Sequence, residues 1–383
     1  MPKRNSAAAY LEMLQQAAAR KVGSLPPSVD EEVKVRDELI AELAIDDEAR
    51  RVILEQWAKA LEERPSRLES VLSYSILSGL AGRIEETARG TQLALKEWPI
   101  FGTLPIQQLN AMAIRVPRSS DCIIAFQEGV FTFVNLVSKV VAACFPFKHM
   151  EDGGVEFSTD PIDIERNIDR APEPIARFKQ FVDAYVLVGD PAAAEQYIID
   201  EPARTLGGWL LDSAELFLMS HEYAHLVQGH LADRTVQTEK VGREIEVFER
   251  LQEQEVEADF VGLQLSMATM TRTRGTDLSI SFAGTYLLFA VMELVDRAVS
   301  TLVPELKPSS PEADPHPLPD LRRAYLVLAL EKMTGSEAAE AAYQLAEQVR
   351  TVVEKLWERI EPHYQGMREA GVRPSPIWVG SDT

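Results

Sequence analysis

Residues 221–225 read His221-Glu222-Tyr223-Ala224-His225, and the residues before them restrict what this segment can become. On an α-helix, positions four apart share one face about one turn apart. Set at about 100° per residue, Leu210, Ala214, Phe217 and Leu218 fall on the His221 side of such a helix. The two imidazoles therefore lie on the face that must be buried. Buried polar rings need partners, and one divalent cation supplies a partner for each; zinc favours imidazole nitrogen. Glu222 points about 100° around the axis, beside such an ion, where a carboxylate can take a proton from a water held there. Gly229 offers the helix a stop. The plainer alternative is a helix with two solvated or capping histidines, and the apolar face argues against it.

A catalytic zinc site needs a third protein ligand and one open place. The metzincin spacing is absent, since Gln228 and Leu231 stand where that class has glycine and histidine. His230 reads as a surface residue or an outer support near the helix end. The third ligand is sought in Glu253-Gln254-Glu255-Val256-Glu257-Ala258-Asp259, inside a helical pattern running from about 242 to 270. A wheel puts Glu246, Arg250, Glu253 and Glu257 on a solvated side. Phe248, Leu251, Glu255, Ala258, Asp259 and Gly262 share the other. Two acids on a mostly apolar stripe are costly unless a cation compensates them. A zinc ion bound by Glu255 does so, and Asp259 can accept the spare ring N–H of a ligating histidine and fix its tautomer. The competing reading is a charged amphipathic helix with incidental acids.

His-Glu-x-x-His followed some thirty residues later by Glu-x-x-Ala-Asp resembles the gluzincin metallopeptidases, above all the HtpX and CAAX-prenyl-protease type. A third element, His316-Pro317-Leu318-Pro319-Asp320-Leu321-Arg322, is similar to a His-Pro and a following Arg in those families. The resemblance covers about 205 to 330. It implies that His316 acts near the reacting carbonyl, as a donor to the developing oxyanion or as a support, which a cationic or N–H-donating side chain can do. The residues alone admit a second reading of His316, an exposed histidine in a Pro-rich loop. Arg322 can equally pair with Asp259 or cap the site. Tyr286 and Tyr364 are further oxyanion candidates that no spacing selects.

The HtpX and prenyl-protease group carries clear membrane spans. Here the most apolar stretches, Gly129–Phe147 and Ile280–Val295, fall near or below the length needed to cross a bilayer and hold Asn135, Lys139 and Glu293. Both are read as buried core helices, and the chain as a cytoplasmic protein without a membrane span. In this it is similar to soluble His-Glu-x-x-His proteins such as the Lit phage-exclusion peptidases and the ImmA/IrrE regulators. A net charge of −21 makes it a poor partner for nucleic acid. Cys122 and Cys144 alone imply no disulfide framework.

Most of the chain patterns as helix. Residues 31–64 alternate charge with apolar positions, with a break near Ile45-Asp46-Asp47, and 66–95 continue in that style. Trp98-Pro99-Ile100-Phe101-Gly102 interrupts it. Cys122–Phe126 fits one strand or a buried helical turn. Lys148–Pro174 reads as a loop or lid, and 176–200 as helix, with Tyr185–Val188 weakly strand-like. A core helix is expected from about 277 to 303, then a Pro-rich stretch, helices near 320–334 and 336–361, and a loose tail from Gly371. The expected fold is mainly α: a helical zincin-like metallopeptidase domain over 96–370 with at most a small sheet, an N-terminal helical region over 1–95, and a tail over 371–383. The expected function is zinc-dependent endoproteolysis of a protein or peptide, with Zn²⁺ on His221, His225 and Glu255, Glu222 as base, and Asp259 and Arg322 in support. A regulatory or phage-defence protein cutting one specific partner is a second expectation. A non-catalytic metal-holding scaffold is a third, which Glu222 argues against, since a structural site needs no base between its ligands.

Overall fold

A computed structural model describes residues 6–23, 28–42, 47–151, 154–232, 236–238, 246–248, 252–306 and 319–379. The described chain is mainly α. Its helices are α1 (Ser6–Val22), α2 (Val29–Glu42), α3 (Asp47–Glu63), α4 (Val71–Ala88), α5 (Gly129–Cys144), α6 (Pro161–Arg170), α7 (Pro172–Asp183), α8 (Ala203–Val227), α9 (Gln252–Arg274), α10 (Leu278–Leu302), α11 (Pro319–Thr334), α12 (Ser336–Glu369) and α13 (Pro376–Val379). The strands are short: β1 (Ile100–Leu104), β2 (Ala111–Arg115), β3 (Cys122–Gln127), β4 (Phe147–His149), β5 (Val155–Phe157), β6 (Val236–Thr238) and β7 (Glu246–Phe248). One compact unit takes in the described residues of Met1–Val130 and Leu218–Gln254, the other those of Phe131–Phe217 and Glu255–Thr383.

In the first unit a three-stranded sheet runs in the order β1-β3-β2, with β1 parallel and β2 antiparallel to β3. The central strand holds Ile123, Ile124, Ala125 and Phe126, all buried, as a strand covered on both faces requires. Leu11, Leu14 and Ala18 of α1 pack with Leu104, Met112, Ile114 and Ile123 of the sheet. Gly102 permits that approach: a Cβ there would lie 2.4 Å from Leu11 and 2.8 Å from the Glu69 carboxylate. α2 is pinned to α4 by Glu32. Its carboxylate accepts from the Ser70 hydroxyl at 2.6 Å and from the Val71 N–H at 3.1 Å, satisfying one of the amides that a helix start leaves open.

The second unit is built on α10 and α12. α10 starts at Asp277, whose side chain accepts from the Ser279 N–H at 2.7 Å. Phe282, Leu287, Val291 and Ala298 along it are all buried. Among the described residues α10 is long and apolar enough to cross a bilayer, where a stretch near or below that length was expected. In this fold 78% of its most apolar window is buried inside the protein, as in a core helix. α5 is likewise buried, with Phe133, Val134, Val137, Val141 and Ala142 enclosed.

Four other expectations are corrected. The described residues of 148–174 are not a loop: β4 and β5 pair antiparallel, and α6 follows behind an Asp160 cap that accepts from the Ile162 N–H at 2.7 Å. Pro161 at the first helical position and the Ile164/Ile168 pair stabilise it. The tail is tied down as far as Val379. The Trp378 indole N–H donates to the Tyr185 carbonyl at 3.2 Å, and the Ser375 N–H to the Val186 carbonyl at 2.8 Å. Those carbonyls belong to a π-helical turn, Ala184–Val188, that ends at left-handed Gly189 (φ 85°), where a strand-like pattern was read. Finally, the helix expected from 242 begins at Gln252, and Glu246–Phe248 instead pairs antiparallel with Val236–Thr238.

Candidate metal centre

α8 is enclosed on nearly every side from Ser213 to His225. Gly284 of α10 lets it come close, since a Cβ there would stand 2.3 Å from Ser213 Cβ and 2.7 Å from the Leu210 carbonyl oxygen. Phe217 packs against Phe289, ring centroids 5.9 Å apart. His221 and His225 are 4% and 0% exposed, as the apolar face predicted. Their rings are nearly perpendicular, at 83°, and their Nε2 atoms are 3.2 Å apart. Two nitrogens bound tetrahedrally to zinc at its usual bond length stand about 3.3 Å apart, so the pair is spaced as ligands of one ion.

Glu255 completes the set. One ligand atom each from His221, His225 and Glu255 lies within 4.8 Å of the others, and all three residues are buried. The wheel separated the acids of α9 correctly: Glu255 and Asp259 are buried, whereas Glu253 and Glu257 are exposed. Two imidazole nitrogens and a carboxylate are a donor set suited to a divalent metal. Glu222, 2% exposed, holds its Oε1 4.0 Å from His221 Nε2, beside the ligand atoms.

The two readings of Arg322 are separated by its contacts. Its Nε donates to Asp259 Oδ2 at 2.7 Å and its Nη2 to Oδ1 at 2.6 Å, a fork on a carboxylate that is 1% exposed. The guanidinium also lies 4.9 Å from the centroid of Phe289, over its ring. Arg322 thus pairs with Asp259.

Of the two readings of His230, a surface residue or an outer support near the helix end, burial removes the first and its contact with His225 favours the second. α8 ends at Val227, and Gly229 takes φ 75°, a left-handed turn. The following 3₁₀ turn, His230–Ala232, brings His230 back beneath the helix. It is buried, and its Nδ1 is 2.8 Å from His225 Nδ1. The spacing of five lies off the helical face, so no periodicity argument finds it; the glycine stop is the signal that could have done so. Tyr223, between the motif's glutamate and second histidine, anchors the other side of α8. Its hydroxyl donates to the Leu93 carbonyl at 2.7 Å and accepts from the Leu95 N–H at 3.1 Å, and its ring meets Trp98 at 4.9 Å. Burial pushes this phenol up to about 12.

His316 lies outside the described residues. Tyr286 packs between Phe282 and Tyr343, and Tyr364 against Trp357 and His363. Comparison with known protein families, curated proteins and solved structures finds no match.

Proposed function

We propose that this chain is a zinc-dependent metallopeptidase that hydrolyses peptide bonds in a protein or peptide, of the gluzincin kind its motifs resemble. The observation that carries the proposal is the meeting of His221, His225 and Glu255, all buried, with the two Nε2 atoms 3.2 Å apart. His221 and His225 would hold the ion through Nε2 and Glu255 through a carboxylate oxygen. When bound, zinc supplies Lewis acidity toward a carbonyl oxygen and a lowered pKa for water.

The remaining steps belong to the chain. Glu222 sits next to the ligand atoms without being needed as one. It takes the proton of the attacking water and returns it to the leaving amine. Asp259 is neutralised by Arg322, so it adds no uncompensated negative charge. Two neutral imidazoles and one carboxylate leave a divalent ion with residual positive charge, which favours electrophilic chemistry over a closed structural site. A purely structural metal held by His221, His225 and Glu255 would give no reason to bury a second acid, Glu222, beside it.

The test is elemental analysis joined to proteome-wide cleavage profiling. Wild type is expected to hold about one zinc per chain, the one open-coordination site described for catalytic zinc. Glu222→Gln should keep the zinc and lose cleavage. Glu255→Ala should lose zinc, whereas Glu257→Ala, on the exposed side of α9, should keep it. Equal zinc loss in the last two would overturn the ligand assignment, and unchanged cleavage by Glu222→Gln would overturn the peptidase.

A further inference from the structure

We infer that His230 is a positioning residue that holds His225 in the one tautomer able to bind metal through Nε2; the inference rests on the proposed metal centre. A contact of 2.8 Å between two ring nitrogens is a hydrogen bond with one proton in it. In a neutral imidazole one nitrogen carries the proton and the other the lone pair. To bind a metal there, His225 must offer a lone pair at Nε2, the ring nitrogen that lies 3.2 Å from His221 Nε2. Its proton is therefore on Nδ1, and His230 Nδ1 is the acceptor. His230 in turn carries its own proton on Nε2. The opposite assignment, with His230 donating, would put the proton of His225 on Nε2 and close it to a cation.

Outer partners of ligating histidines are commonly carboxylates, backbone carbonyls or water. A neutral imidazole fixes the tautomer equally well but adds no negative charge to the ligand. His225 therefore remains a weaker electron donor than it would be over a carboxylate, and the ion keeps more of its charge for a substrate carbonyl. The local chain explains how the partner arrives. The left-handed Gly229 reverses the backbone just after α8, and the 3₁₀ turn sets His230 five residues on from the ligand it supports. Both rings are buried, so solvent offers little competition for the bond.

The experiment uses full-length protein and cobalt(II) as the metal probe, with circular dichroism as the check on folding. His230→Ala should weaken cobalt binding about 10–100-fold, the effect usual for an outer partner. His230→Asn, whose Oδ1 can stand near the position of Nδ1 and accept, should recover most of that loss. Imidazole ¹⁵N spectra of the chelator-treated protein should show His225 protonated on Nδ1 in wild type, and a mixture of tautomers in His230→Ala. Unchanged affinity in a folded His230→Ala, or an Asn variant no better than Ala, would overturn the inference. If wild type took up no cobalt, the metal centre itself would fall. The tautomer spectrum would still judge the histidine pair, and a proton on His225 Nε2 in wild type would refute its stated role. Should His230→Ala fail to fold, the Asn variant and the wild-type spectrum decide.

Discussion

Removing Arg322 should strand a charge in the interior. Asp259 is 1% exposed, and its two oxygens accept from the guanidinium at 2.7 and 2.6 Å. Charge centres about 4 Å apart attract by about 4 kcal/mol at an effective dielectric of about 20. Much of that offsets the desolvation of both groups, so the pair adds little net stability by itself. Breaking it is a different matter, because the surviving carboxylate keeps its desolvation cost and loses its partner. Arg322→Ala is therefore expected to cost about 3–5 kcal/mol, and the lost stacking on Phe289 acts in the same direction. Asp259→Ala leaves the buried cation instead and should cost a similar amount. The double variant leaves neither charge and should cost at least about 2 kcal/mol less than the sum of the singles. Hydrogen exchange followed through peptides of α9 and α11 is the suitable assay, since a chain with two compact units need not unfold in one transition. Raising salt should change the result little, because a buried pair is poorly screened. A single-variant cost under about 1 kcal/mol, or additive costs to within about 0.5 kcal/mol, would refute the reasoning.

Two further predictions concern the framework. Burial pushes the Glu69 carboxyl up to about 8, against 4.5 for the ordinary group, despite hydrogen bonds from Thr103 and Gln15. The folded chain thus keeps a proton that the unfolded chain releases, and stability should fall as pH rises from about 4.5 to about 8 and level off above that, by at most about 5 kcal/mol. Glu69→Gln should flatten that slope in urea titrations from pH 4 to 9, because an amide does not titrate in this range; a slope unchanged by the substitution would count against the assignment. Gly284→Ala should lower stability by about 1–3 kcal/mol through overpacking, since its Cβ would meet α8 backbone at 2.7 Å, whereas Gly208→Ala, with open space around it on α8, should cost nothing in the same thermal-melt comparison.

What the sequence made legible follows the range of the interactions concerned. His221, Glu222 and His225 are related within one helical turn, so spacing alone located them and the apolar positions of α8 set their face. Glu255 is thirty residues further on, yet it was found because an acid on an apolar stripe has few physical explanations; Glu257, two positions away, faces solvent as the same wheel required. The helical pattern runs further back in sequence than the helix does. An alternation of charged and apolar residues over 242–251 fits a helix by pattern, and only pairing with Val236–Thr238, a partner no local count includes, makes part of it a strand. The same holds for Ala111–Arg115, a short strand with one β-branched residue whose place depends on β3. α6 was missed for a different reason: Asp160-Pro161 is both a break and a helix start, and only the Ile164/Ile168 pair beyond it decides which. His230 is the most instructive case. Its bond to His225 needs a chain reversal at Gly229, so the residue that sets the ligand's tautomer is invisible to any helical projection, while the ligand itself is plain. Local periodicity therefore reveals the atoms that would touch the metal. The groups that decide how those atoms are presented come from turns and from pairings between distant segments, which no local period contains.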